Sequence, residues 1–248
     1  MASKIVVLPQ LLTPVNIDRV GLSTISKDWM DLKFSILKDL RIGKSPAWMQ
    51  RRLLASGVRA ISNIVDITNY VMLEYGTPLH AFDCDKLNEY LCVRRANEGE
   101  KLVTLDDVER TLNNDSILIS TETTPVCLGG VFGGNNSEID ENTKNIALEA
   151  AYFVPSAIRK SARSVGYRSD ASARFERGID IEAVKPGLLR AVELLEKYAD
   201  AEFVGSVETG ENKLETIDIT LRYSQIKRVL GCEIEMEKCL NILENLGF

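Results

Sequence analysis

Between Leu91 and Glu149 the chain is cut into short apolar segments, each bounded by turn-forming residues. They are Leu91-Cys92-Val93, Lys101-Leu102-Val103-Thr104-Leu105, Ser116-Ile117-Leu118-Ile119, Pro125-Val126-Cys127-Leu128 and Asn145-Ile146-Ala147-Leu148-Glu149. That spacing predicts a compact β barrel or sandwich, not alternating β-α units.

The flanks are helical. A strand is expected from about Phe34 to Ile42, and Ser45-Pro46 reads as a helix start, serine capping and proline tolerated in the first turn. The helix Ala47 to Ser56 ends at Gly57. In a second helix, Asn63 to Tyr75, Ile64, Ile67 and Val71 share one face and Thr68 and Asn69 fall toward the other sides. Gly76-Thr77-Pro78 stops it and puts His80 in the following loop. After the β region a helix begins near Pro155, then comes a polar loop through Gly166. A longer helix follows from about Val184 to Ala199, with Leu188, Ala191, Val192 and Leu195 as its core stripe.

Three segments of the chain follow from this. Residues 1–33 read as a linker or truncated N-terminal element, 34–205 as the main domain, and 206–248 as the first part of a small α/β domain. The polar, acidic stretch Gly205 to Leu214 marks the second boundary. Beyond it a strand is expected at Ile217 to Leu221, a short helix capped by Ser224 and ending at Gly231, and another helix from Glu235 to Leu246. About thirty residues are too few for an independent core, so the expectation is a chain that stops inside a second domain.

Composition narrows the chemistry. No apolar run in the 248 residues approaches the ~20 needed to cross a bilayer, nor is there a secretory signal, which makes the expected compartment the cytoplasm. Five cysteines form no C-x-x-C pair and His80 is the one histidine, so neither a zinc site nor a disulfide framework is expected. The net charge is −6, yet Arg41 to Arg59 holds five basic residues and no acid, and Arg159 to Arg177 six against two acids. These are either solvated helix faces or two patches that meet an anionic ligand such as phosphate.

Four segments can carry chemistry. Polar residues interrupt the apolar text of Asn63 to Val71; Asp66 and Asn69 cap or line a solvated face, or line a site. Pro78-Leu79-His80-Ala81-Phe82-Asp83 holds the imidazole, which either satisfies a backbone carbonyl or acts. Gly129-Gly130-Val131-Phe132-Gly133-Gly134 lets backbone approach a ligand, or is only a glycine-rich hairpin; it is not a nucleotide-binding loop. Glu149 lies in so apolar a run that burying it is costly unless it binds something, and Ser169-Asp170-Ala171-Ser172 supplies a polar loop. No G-x-S-x-G elbow accompanies those serines. The residues alone point to a pocket with His, Glu and a glycine loop beside basic segments, and not to a substrate.

Taken together the segments resemble the central editing domain of the β subunit of bacterial phenylalanine–tRNA ligase. The resemblance rests on Ser45 to Leu53, Ile64 to Val71, Pro78 to Asp83, the glycine run, Leu148-Glu149-Ala150, and Ser169 to Gly178. It runs from about Phe34 to Gly205, with a weaker continuation to Phe248. It implies an α+β fold, a mixed α/β editing domain with a β-barrel-like core and flanking helices, followed by the start of a small winged-helix-like domain. The implied activity is hydrolysis of tyrosine mistakenly esterified to phenylalanine tRNA. An apolar pocket cannot strongly reject an analogue that merely adds a hydroxyl, whereas a second pocket with a hydrogen-bonding group can select it. By the resemblance, Glu149 recognises the phenol and His80 orients water or the terminal ribose. Arg59, Thr68, Asn69 and His80 line the site and help hold the aminoacyl end, Gly133 keeps the pocket open, and Ser169 and Ala171 form its wall. No cofactor and no metal is implied for editing; ATP and Mg2+ serve the full complex, an α2β2 heterotetramer with the α subunit, which binds tRNA. Where family members often carry threonine, this chain has Ser169. A non-catalytic tRNA-docking or subunit-scaffold module remains the alternative, expected if the pocket is too small or Glu149 is exposed; a stand-alone hydrolase is a third possibility.

Overall fold

The computed structural model describes residues 4–7, 29–87, 90–121, 123–210 and 218–248. In chain order the first elements are β1 (Lys4–Val7), β2 (Trp29–Lys38), α1 (Ala47–Ala55), α2 (Asn63–Tyr75), β3 (Leu79–Asp83), β4 (Tyr90–Arg95), β5 (Lys101–Val103) and β6 (Glu109–Thr111). There follow β7 (Ile117–Ser120), β8 (Pro125–Leu128), β9 (Phe132–Gly133), β10 (Ile146–Phe153), α3 (Pro155–Ser164), α4 (Asp170–Phe175), α5 (Val184–Tyr198), β11 (Glu202–Gly210), α6 (Tyr223–Leu230) and α7 (Met236–Asn245). The chain divides into two compact units, Met1–Asn212 and Lys213–Phe248.

The larger unit is a mixed α+β fold built on antiparallel sheets. One sheet has the order β1-β4-β7-β8-β9, a second β11-β2-β10-β3, and β5 pairs with β6. The β reading of the middle of the chain holds, in the form of separate sheets; no closed barrel is formed among the described residues.

Alternation along the strands decides the layers, since successive side chains point to opposite faces. On β2, Leu32, Phe34 and Ile36 join Phe82 of β3 and Ala147, Ala151 and Phe153 of β10 in a core shared with β4, β7 and β8. Leu37, Ala81, Ile146, Leu148, Ala150 and Tyr152 face the other way and pack under α1, α2 and α5. Two sheets and one helical layer therefore enclose two cores, and β10, buried along its whole length, lies between them.

Local signals set the helix ends. Ser62 caps α2 by accepting from the Val65 N–H, and Gly76 ends it at φ +73, the left-handed conformation that glycine adopts at least cost. The expected cap at Ser45 is corrected: Pro46 holds the N-cap position of α1 with no side-chain cap, and the Ser45 hydroxyl instead donates to Asp66 of α2. The first strand lies earlier than the 34–42 expected. It starts at Trp29 and stops at Lys38, because Asp39 takes φ +57 and the Leu40 N–H turns to the Lys144 carbonyl. Glu202 to Gly210 pairs with β2, so the strand runs into the polar stretch that begins at Gly205. That pairing joins a buried charge, since the Lys33 ammonium lies 3.0 Å from Asp31 and 3.1 Å from Glu208 across the strands.

In the smaller unit α6 ends at Gly231 with φ +73, as its glycine predicts, and α7 follows. Ser224 is not its cap, a position held by Arg222. Of the strand expected at 217–221, Ile217 lies outside the described residues and 218–221 form no strand.

Candidate functional site

β3 is the outer strand of the four-stranded sheet, and the site opens at that edge. A cleft of about 210 Å³ is bounded there by Thr68, Asn69 and Met72 of α2, by His80 of β3, by Glu149 of β10 and by the glycine turn around Gly130–Gly133; Leu105, Cys127 and Ser169–Ala171 complete it. His80 is corrected from a loop to a strand position, in register with Glu149 on the neighbouring strand. The stretch after Pro78 pairs with β10, and this long-range partner makes a strand where the local residues after the helix stop gave a loop. Cross-strand side chains in register sit side by side, so imidazole and carboxyl occupy one patch of cleft wall.

Both groups are held neutral at pH 7. Glu149 is 5% exposed, with no hydrogen-bond or ion-pair partner among the described residues, and burial pushes its carboxyl up to about 8. Burial likewise lowers the His80 imidazole to about 4. The His80 ring stands edge-on to buried Phe82, two residues along the same face, with centroids 4.5 Å apart. A carboxyl desolvated without a partner is costly to maintain, and Glu149 is one of the residues that line the cleft.

The glycine turn is shaped around the histidine. A Cβ on Gly133 would fall 2.5 Å from His80 Cε1 and 2.9 Å from Nε2, so only hydrogen fits between the backbone and the ring. Gly130, at φ +67, has Ile158, Phe153 and Phe175 where a side chain would go. The turn therefore serves both as a tight bend and as the floor under the imidazole.

Each hydroxyl or thiol at the cleft is already committed. Thr68 Oγ1 donates to the Val65 carbonyl at 2.8 Å, and Cys127 Sγ to the Phe132 carbonyl at 3.5 Å. Ser169 Oγ donates to the Val131 carbonyl at 2.7 Å while accepting from the Ser172 N–H at 3.0 Å. Burial, with a smaller contribution from Glu149, raises the Cys127 thiol well above its ordinary value, so it carries no thiolate at neutral pH. None of the three is hydrogen-bonded to His80. Among the described residues no group of three or more His, Cys, Asp or Glu side chains is placed to hold a metal ion.

The structure brings together seven of the eight residues singled out from sequence: Thr68, Asn69, His80, Gly133, Glu149, Ser169 and Ala171. The eighth, Arg59, is exposed on the segment between α1 and α2 and is not among the lining residues. The loop expected at Ser169–Ser172 is the start of α4, closed by a reciprocal Ser169–Ser172 capping box. Met72, Leu105, Cys127 and Asp170 were missed as lining residues. For Met72 the signal was available, since it lies three residues beyond Asn69 on one helix face. The basic segments lie on elements adjoining the cleft walls. Arg51 and Arg52 are exposed on α1, and Arg159, Lys160 and Arg163 on the outer face of α3.

The model of the B3/4 domain family matches residues 28–200. The chain is 48% identical over 216 residues to the phenylalanine–tRNA ligase beta subunit of Halalkalibacterium halodurans and 47% identical over 215 residues to that of Geobacillus kaustophilus. Each match covers 86% of this chain and 27% of the relative, so the chain spans about a quarter of the length of these relatives. A solved N-terminal fragment of the phenylalanyl-tRNA synthetase beta subunit from Pyrococcus horikoshii overlays 87% of this chain and 60% of that one. At 14% identity and a TM-score of 0.46 it is too distant to add to the sequence comparison.

Proposed function

We propose, starting from the fact that the chain belongs to the B3/4 domain family, that its cleft is the proofreading site of a phenylalanine–tRNA ligase beta subunit. The substrate is tyrosine esterified to phenylalanine tRNA, and the reaction is hydrolysis of that ester. The observation that carries the reading is Glu149, a buried, unpartnered carboxyl at the wall of an open cleft. Protonated at pH 7, it can donate to or accept from a phenol hydroxyl, and it is left unpaired by a phenylalanine side chain. Of the two conditions named for a mere scaffold, an exposed Glu149 is not met.

Thr68, Cys127 and Ser169 have their protons committed to backbone carbonyls, which favours attack by water over an enzyme nucleophile. An aminoacyl ester is already reactive, so orientation and a base suffice. Neutral His80, standing over Gly133 and beside Glu149, accepts a proton as water adds to the ester carbonyl. The tetrahedral adduct then collapses, the ribose oxygen leaves with a proton, and free tyrosine and intact tRNA result. Thr68 and Asn69 on one wall and Ser169 and Ala171 on the other confine the aminoacyl end.

In this reading aminoacylation, with its ATP and Mg2+, belongs to the complete ligase with its α subunit, and no step in this cleft passes through them. A chain acting on tRNA in protein synthesis works in the cytoplasm, and no helix among the described residues is long and apolar enough to cross a membrane.

The test is loss of ester from tyrosine-charged and phenylalanine-charged phenylalanine tRNA mixed with the chain, with His80→Ala and Glu149→Ala beside it. Faster tyrosine release, reduced at least about tenfold in both variants, supports the proposal. Undiminished release in His80→Ala removes histidine from the mechanism. No release above the spontaneous rate, alone or with the α subunit added, rejects proofreading.

A further inference from the structure

Three of the cleft walls come from segments far apart in sequence, and one side chain ties all three together. Leu105 reaches the cleft from the β5–β6 hairpin, Gly133 from the glycine turn and Ser169 from the start of α4. Arg110, on β6, contacts the residue beside or near each of these. Its guanidinium makes a two-point ion pair with Asp106, next to Leu105, with Nη1–Oδ1 at 2.7 Å and Nη2–Oδ2 at 2.8 Å. Its Cζ lies 5.4 Å from the ring centre of Phe132, next to Gly133, and 5.0 Å from that of Tyr167, two residues before Ser169. Those two rings are themselves stacked, 4.5 Å apart and within 4° of parallel.

This arrangement is built and not incidental. The Arg110 side chain is only 10% exposed, and its Nη1 also bonds the buried Thr104 hydroxyl. Asp106 is held well below the usual carboxylate range by the guanidinium and then by Thr104, so the ion pair is closed at neutral pH. Nearly equidistant from the two ring centres of a parallel stack, the guanidinium lies against the side of the pair, within cation–π range of both rings.

We propose that Arg110 is a positioning residue of the cleft. Clamped by Asp106 and set against the side of the Phe132–Tyr167 stack, it fixes the separation of the hairpin, the glycine turn under His80 and the segment that carries Ser169. The role rests on the reading of this cleft as a deacylation site. Arg110 does not touch the ester; it sets where the groups that do are held.

The test compares Arg110→Ala and Arg110→Lys in the full chain. Lysine keeps the charge but has neither the two-point fork nor the flat face. Both variants are expected to lower kcat for tyrosyl-tRNA deacylation about tenfold or more while KM stays within about twofold, because misplacement of reacting groups lowers the chemical step. In amide correlation spectra of the free protein, shift changes are expected to reach residues 129–134 and 167–172. Unchanged amide shifts in those two segments overturn the proposal, as does full rescue by lysine or a loss confined to KM. If the wild-type chain hydrolyses no ester at all, the proofreading reading fails, and the amide shifts alone decide whether Arg110 couples the three walls.

Discussion

Glu149 carries the account at the scale of single residues, and its burial has a consequence that needs no substrate. The folded chain keeps the carboxyl proton up to about pH 8, whereas the unfolded chain releases it near 4.5. Between those values the folded state holds the extra proton, so raising the pH destabilises the fold. From pH 6.5 to 8 the loss is about 1.5 kcal/mol, read from chemical denaturation, and it is absent in Glu149→Gln. His80 acts oppositely and lower: its pKa falls from 6.5 to about 4, so stability falls as the pH drops through that interval. A wild-type profile parallel to that of Glu149→Gln above pH 6.5 would contradict the burial of a proton at this position. The residue itself was legible in the sequence as a carboxylate in an apolar run. Its partner across the strands was not, because the local text after Pro78 gives a loop and only β10 makes His80 a strand residue. Thr68 and Asn69 were likewise read as sideways residues of α2, since periodicity names the core face but not what a helix covers at a sheet edge.

At the scale of elements, the pairing of β11 with β2 is the least legible feature. Glu202 to Gly210 is too polar to read as a strand, yet it pairs along β2 and covers that edge. Part of what holds it is charge: buried Lys33 bridges Asp31 and Glu208, and Lys185 of α5 meets Glu208 at 2.9 Å. Burial raises the Asp31 carboxyl above its ordinary value, against the lowering by Lys33. Lys33→Ala should cost about 1.5–3 kcal/mol of unfolding free energy, because the buried ammonium that donates to both Asp31 and Glu208 is lost. A change below about 1 kcal/mol would show the network to be dispensable. By contrast the extent of α2 was legible, because Gly76 is a local stop signal acting locally; the Ser62 cap, equally local, was not read. The β-rich middle was legible as β, but the division into sheets is set by contacts between strands that no single segment encodes.

The chain carries a net charge of −6, so the proposed RNA partner would have to be met by how that charge is distributed. On the outer face of α3, Arg159, Lys160 and Arg163 are exposed, and α3 packs on α4, whose first turn is a cleft wall. If this face follows the tRNA backbone, Lys160→Glu with Arg163→Glu should weaken binding of uncharged tRNA. The log–log salt slope should then fall by about 0.7–0.9 for each phosphate that is no longer neutralised. An unchanged slope would assign these side chains to solvent. The central claim is that Glu149 reads a phenol hydroxyl, and a non-hydrolysable pair tests it most directly. Tyrosine and phenylalanine are each joined by an amide to the 3′ position of adenosine and titrated calorimetrically into the chain and into Glu149→Ala. The account predicts at least about tenfold tighter binding of the tyrosyl compound, with the ratio collapsing toward one in the variant. Equal affinity for the two compounds in the wild-type chain, or a preference that survives the loss of Glu149, would contradict it.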